Sequence, residues 1–230
     1  MKINIVLITV LILFTTALKA QENAKPFNFN FRIGPNINWF KSNSDAVKYD
    51  GSNIGFSWGA LFEFPLQDNL SLVSGFNIHF AGGKINYTGL NQNIPVIIYE
   101  KYTLKYLELP IMIKLRTNEV NGILYYGQFG LGTDFRINSK VERTFKVPSS
   151  SSYNGAFERQ DLNSDNLTSF IRESLLIGIG VQYSLQENFK LFGGLNFNNG
   201  FTDILKKGPY NTSDPKVISN FVELNVGLYF

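Results

Sequence analysis

YLELPIMIKLR, residues 106–116, sets Leu107, Leu109, Ile111, Ile113 and Leu115 on one side of an extended chain and Tyr106, Glu108, Pro110, Met112, Lys114 and Arg116 on the other. The period is two, which predicts a strand. One face is wholly aliphatic, and the other carries three charges. The same alternation runs through FNFNFRIGPNINWF, residues 27–40, where Phe27, Phe29, Phe31, Ile33, Pro35, Ile37 and Trp39 oppose Asn28, Asn30, Arg32, Gly34, Asn36 and Asn38. Further strands are predicted near 54–65, 70–82, 101–116, 122–138, 170–184, 189–201 and 217–230, which makes eight. Their connections alternate in length. PLQDN, TNEVN and LQEN are tight turns, whereas 41–53, 83–100, 139–169 and 202–216 are long and polar, the third including the Ser-rich stretch 148–155.

Eight alternating strands could close around an apolar ligand or face lipid, and volume decides between them. With about five large apolar side chains per strand, roughly forty would have to fit into an interior that an eight-stranded barrel only just fills with its own side chains. The greasy face therefore points outward. Most strand glycines, among them Gly34, Gly59, Gly130, Gly178, Gly180 and Gly194, fall on the opposite face, where small residues suit a crowded lumen. An outward apolar band needs lipid, and a closed ring satisfies every backbone donor and acceptor within it. The expected fold is all-β, an eight-stranded antiparallel up-and-down transmembrane β-barrel with short turns at the periplasmic rim and long loops outside. Aromatic girdles are expected from Phe27, Phe29, Phe62, Phe64, Tyr183 and Phe189 at the short-turn rim, and from Trp39, Phe80, Tyr102, Phe197 and Phe201 at the other.

The charges of the apolar strands then belong to the lumen. Arg32, Glu63, Glu108, Lys114, Arg116, Asp134, Arg136, Lys190 and Glu223 all take the inward phase, five basic and four acidic. This near balance predicts mutual pairing rather than an ion path, because unpaired buried charge is costly. Pro110 lacks an N–H and predicts a bulge or bend.

Composition agrees with a membrane-embedded protein. The chain has 230 residues, 44% hydrophobic and 15% aromatic, with 17% charged, and forms one domain with no linker. Residues 1–20 read as a signal peptide: Lys2, an apolar run from Ile3 to Leu18, and cleavage before Gln21 or after Ala17. The barrel domain is then 21–230. Loss of Lys2 and Lys19 leaves 19 basic against 18 acidic side chains, a balance that gives no footing for nucleic acid. With no cysteine, disulfides, thiolate metal sites and a lipoprotein anchor are excluded.

YLELPIMIK, from Tyr106 to Lys114, resembles the Y-[LI]-E-[LIV]-P-[LI]-x-[LI]-K segment of the PorT-type outer-membrane β-barrel family of Gram-negative bacteria. Arg32, Gly34 and Asn36 resemble that family's glycine-rich opening strand. FVELNVGLYF at the C-terminus resembles the signal that engages the barrel-insertion machinery, with Phe230 as its terminal aromatic. The resemblance covers residues 27–230 and implies an outer-membrane barrel, with protein secretion of the type IX kind among its possible roles. The partners it implies are outer-membrane lipid, the insertion machinery and other envelope or secretion proteins.

No cofactor or metal is expected. Asp45, Asp50, Asp161 and Asp165 are spaced as solvated loop residues rather than calcium ligands, and Gly178-Ile179-Gly180 lies in a strand rather than opening a helix. The single histidine, His79, takes the inward phase, and Ser57 or Ser74 could lie beside it as a nucleophile. No nucleophile motif surrounds either serine, so the reading is a noncatalytic barrel with a filled lumen, serving envelope structure, partner binding or secretion. A lipid- or peptide-hydrolysing enzyme using His79 and a narrow solute channel are the alternatives. The barrel reading expects recovery in the outer-membrane fraction as a heat-modifiable, β-rich band; folded protein in a soluble periplasmic extract would rule it out.

Overall fold

The computed structural model describes residues 27–91, 94–146, 159–163, 166–186, 189–206 and 216–230. The expected signal segment 1–20, the Ser-rich stretch 148–155, Asp165 and the last two residues of the LQEN turn lie outside them. Ten strands are present: β1 (Asn28–Ser42), β2 (Val47–Gly51), β3 (Asn53–Gln67), β4 (Leu70–Asn91), β5 (Ile94–Arg116), β6 (Ile123–Lys146), β7 (Arg159–Asn163), β8 (Ile171–Gln186), β9 (Phe189–Gly200) and β10 (Val217–Tyr229). Eight of them close a ring in the order β1, β3, β4, β5, β6, β8, β9, β10 and back to β1, every pair antiparallel. The seam between first and last strands is tied at the rim by Phe230 N donating to Phe29 O at 2.8 Å. The short strands β2 and β7 pair outside the ring, with β4 and β6.

Around this ring the aliphatic face points out. Ile111 is 63% exposed and Leu224 60%, while Glu63, Glu108 and Lys114 in the inward phase are each at most 2% exposed. So large an exposed apolar area is stable only against lipid. Phe27, Phe29 and Phe62 cluster with Phe230, and Phe230 with Phe189, at the short-turn rim, with ring centroids 5.5–6.1 Å apart. Trp39 stacks on Phe197 toward the other rim.

The long connections differ from the expectation of polar loops. Segment 83–100 is a continuation of β4 and β5, which stay paired out to Asn91 and Ile94. Segment 139–169 begins as a continuation of β6 and includes β7, and 41–53 contains β2. The physical reason lies in the pattern of both faces. On β5 the outward series Leu115, Ile113, Ile111, Leu109, Leu107 gives way to Lys105, Thr103 and Lys101, while the inward series turns from Lys114 and Glu108 to Leu104, Tyr102 and Ile98. Beyond the lipid the strands reverse their amphipathic sense and fold as a water-soluble sheet does. Their inner face joins Phe40, Val47, Ala81, Ile85, Tyr87, Val96, Val141, Ile204, Leu205 and Val217 in one buried cluster that caps the outer end of the barrel.

Two smaller corrections follow from register. Tyr102, expected in the outer girdle, shares the inward phase of Tyr106 and Leu104 and is buried in the cap. Pro110 marks no bulge: it pairs in register with Gly132 on β6, and the β4–β5 ladder lapses only between the Ser74–Ile111 and Asn77–Glu108 pairs, where its missing N–H falls. The bulge lies five residues away, at Lys105/Tyr106.

The boundary between the two amphipathic regimes makes a testable prediction. Ile111→Arg, in the lipid band, should destabilise the barrel by about 2–4 kcal/mol. Thr103→Arg, on the same face of the same strand beyond the band, should change stability by no more than about 0.5 kcal/mol. Urea unfolding in lipid vesicles distinguishes them, and equal effects would contradict the placement of the lipid edge.

Candidate functional site in the lumen and its cap

From the short-turn rim toward the opposite one, the lumen is filled in layers. The first is built by β3, β5, β6 and β10. Lys114 Nζ donates to Glu63 Oε2 and to Tyr229 Oη, both at 2.7 Å, and lies 4.5 Å from the Tyr126 ring centroid and 4.7 Å from that of Tyr229. Arg116 approaches the other Glu63 oxygen at 3.5 Å. A lysine wholly removed from water is tolerable here because a carboxylate, a phenol and two aromatic faces replace its hydration. Gly180 and Gly194 explain how the Tyr126 ring fits: a Cβ on Gly180 would collide with the ring, and one on Gly194 would come within 2.7 Å of the hydroxyl.

The middle layer is a chain of alternating charges and amides. Arg32 reaches Glu223 at 3.4 Å and donates through Nε to Asn77 Oδ1 at 3.0 Å. Asn77 Nδ2 donates to Glu108 Oε1 at 2.7 Å, and Asn198 Nδ2 to Glu108 Oε2 at 2.9 Å. Arg172 then bridges Asn198 Oδ1, Asp134 Oδ2 and the Ser219 carbonyl. Glu108 is thus held by two amides that link it to guanidiniums, with no direct cation partner among the described residues. The cavity bordered by Arg32, Glu108, Met112, Gln128 and Asn198 has a volume of about 20 Å³, room for only a water or two.

Of the nine inward charges read from the sequence, Glu63, Lys114 and Arg116 form one group, and Arg32, Glu108, Asp134 and Glu223 form part of the second. Arg136 is turned toward the outer rim, donating to the Thr168 carbonyl at 2.9 Å. Lys190 sits at the periplasmic rim, 3.7 Å from Glu119 and part-exposed. Arg172, the central cation, is absent from that set, although its phase with Ser174, Leu176 and Gly178 marks it as inward. The bridging amides Asn77 and Asn198 share the same phase, but alternation alone cannot tell a linking amide from a filler.

His79 lies at the top of the polar layers, 1% exposed, against Tyr106 and Phe221 with ring centroids 5.5 and 4.9 Å away. Among the described residues neither serine considered beside it is hydrogen-bonded to it, although Ser57 stands opposite it on β3. Ser57 receives a hydrogen bond from Asn36 at 2.6 Å, and Ser74 faces the other way and donates to the Pro110 carbonyl. In the cap, beyond the lipid, Glu100 accepts from Tyr87 at 3.0 Å and Tyr102 at 2.6 Å and pairs with Arg143 at 2.6 Å. Burial works to lower the Arg143 pKa, and the Glu100 carboxylate outweighs it, leaving the guanidinium above its usual value.

A family model described as "Outer membrane protein beta-barrel domain" matches residues 19–206. A search among curated proteins gives no match. Among solved structures, Neisserial surface protein A is similar at 14% identity and a TM-score of 0.46, over 90% of this chain and 98% of its own. Ail, the attachment invasion locus protein of Yersinia pestis, solved with the heparin analogue sucrose octasulfate, is similar at 18% identity and a TM-score of 0.39, over 90% of this chain and 100% of its own. The outer membrane protease OmpT of Escherichia coli is similar at 10% identity and a TM-score of 0.34, over 90% and 97%.

The two lumen groups differ from surface pairs in a measurable way. Lys114→Leu, which strands Glu63 in the interior, should cost on the order of 3 kcal/mol or more. Lys101→Ala, which removes a half-exposed partner 3.8 Å from Glu142, should cost at most about 1 kcal/mol. Comparable shifts in the urea midpoint would mean that the Lys114 group is hydrated.

Proposed function

The chain belongs to the family of outer membrane protein beta-barrel domains and resides in the outer membrane, and from that premise we propose that it is a noncatalytic anchor that presents its outer strand extension to a partner in the envelope or at the cell surface. The observation that carries this reading is the cap. β4, β5, β6 and β7 rise past the lipid as a sheet with its own buried core, above a lumen filled with paired charges and bridging amides. A channel needs a continuous hydrated path, and a layered, paired interior opposes one. An enzyme needs substrate access, and His79 is buried beneath the cap with no serine engaged. Among the described residues the β4–β5 hairpin extends beyond the ring with its outward face exposed, the kind of surface on which binding residues are held in place by a scaffold.

Secretion of the type IX kind is the more specific form of this proposal, resting on the PorT-like segment Tyr106–Lys114. That segment supplies Glu108 and Lys114 to the lumen, so it bears on barrel construction more directly than on any partner.

Replacing Gly89–Pro95, the tip of the β4–β5 hairpin, by a tight turn should leave outer-membrane insertion and heat-modifiability unchanged, because the ring pairs below it are intact. In the native host the shortened chain should fail to complement a deletion strain. Full complementation would move the function to the barrel wall or the periplasmic turns. In planar bilayers the intact protein should show no voltage-driven conductance steps; regular steps would overturn the sealed-lumen reading. For the secretion form, deletion should hold type IX cargo in the cell, and normal export would sink it.

A further inference from the structure

His79, Glu108 and Asp134 come from three adjacent strands, β4, β5 and β6, and converge in the outer half of the lumen. One ligating atom from each lies within 4.8 Å of the others, and all three residues are buried. His79 Nε2 and Asp134 Oδ1 face one another at 3.5 Å, and neither has a hydrogen-bond partner. Two such atoms left unsatisfied in a packed interior cost free energy that the fold would otherwise avoid. Their separation has a specific meaning. Ligands about 2.0–2.2 Å from a tetrahedral ion stand about 3.4 Å apart, so this pair already spans one edge of a tetrahedron.

The surroundings suit a metal. Arg172 binds Asp134 through Oδ2 and leaves Oδ1 turned to the histidine, while Asn77 and Asn198 fix the Glu108 carboxylate by one hydrogen bond to each oxygen. Outer partners of this kind orient ligating carboxylates. The two nearby guanidiniums oppose a cation, but the linked group holds three carboxylates, Glu108, Asp134 and Glu223, against Arg32 and Arg172. Arg136, the next cation toward the outer rim, donates to Thr168. The Tyr106 hydroxyl, on the residue packed against the His79 ring, also lacks a hydrogen-bond partner.

We propose that His79, Asp134 and Glu108 form a buried divalent transition-metal site of the Zn²⁺ type. One nitrogen and two carboxylate oxygens make a mixed donor set that favours zinc over magnesium or calcium, which prefer oxygen ligands alone. The ion would tie three neighbouring strands together beneath the cap, so its role is structural. This inference stands independently of any partner bound by the hairpin.

A site so enclosed is expected to load as the barrel closes. The chain is refolded into detergent with Zn²⁺, freed of loose metal by chelator and gel filtration, and assayed for bound metal by mass spectrometry. Close to one zinc per chain is expected, with greater resistance to urea than protein refolded with chelator, since an ion that binds only the folded state stabilises it. His79→Phe, which keeps the packing against Tyr106 and Phe221, should fold to the same heat-modifiable band and retain no zinc. Asp134→Asn is a second variant with the same expectation should His79→Phe not fold. Wild-type protein free of zinc after this procedure would overturn the proposal, as would equal zinc in wild type and in a folded variant.

Discussion

Lipid offers no hydrogen bonds, so every peptide group within the bilayer must find its partner inside the protein. That constraint forces the ring. The first and last strands are far apart in sequence, yet β1 and β10 pair from Asn30–Tyr229 to Ser42–Val217, because an open edge in hydrocarbon would leave a row of unpaired donors and acceptors. Two lapses in the ladder fall where a donor is missing by covalent structure: Pro110 on β5 faces the break with β4, and Pro35 on β1 faces a similar break with β10.

Closing eight strands leaves an interior too narrow for water in bulk and too polar to be left dry. The chain resolves this with charges that are paired, and with amides that pass the pairing on. Asn77 and Asn198 connect Glu108 to Arg32 and Arg172. A network of this type contributes little net stability compared with an apolar filling, while losing any one member exposes its partners to full desolvation. It specifies the strand register more than it strengthens the fold, since a slip by one residue would carry Glu63, Glu108 and Lys114 into lipid.

The outer half shows the same strands obeying a different solvent. Past Lys105 the inner face is Leu104, Tyr102, Ile98 and Val96, and the outer face is polar, so hydrophobic burial rather than lipid contact holds the sheet. The cap closes over the lumen because Val47 of β2, Ile204 and Leu205 after β9, and Val217 at the start of β10 join its core. Within that sheet Glu100 is held by Tyr87, Tyr102 and Arg143.

The sequence by itself determined the period of two, the direction of the greasy face and the number of strands in the ring, because each follows from local alternation and a volume limit. It also held the reversal of amphipathicity at Lys105. That reversal was masked by polar residues on the outward face of 83–100, which make a water-soluble hairpin look like a loop. Only the tertiary structure decided who pairs with whom: that Arg172 occupies the centre, that Lys114 sits between two tyrosines, and that His79 meets Asp134 across two intervening ladders. Alternation fixes the face of a residue, but partners across the lumen depend on the height at which the closed and sheared ring brings distant strands together, and no local pattern encodes that height.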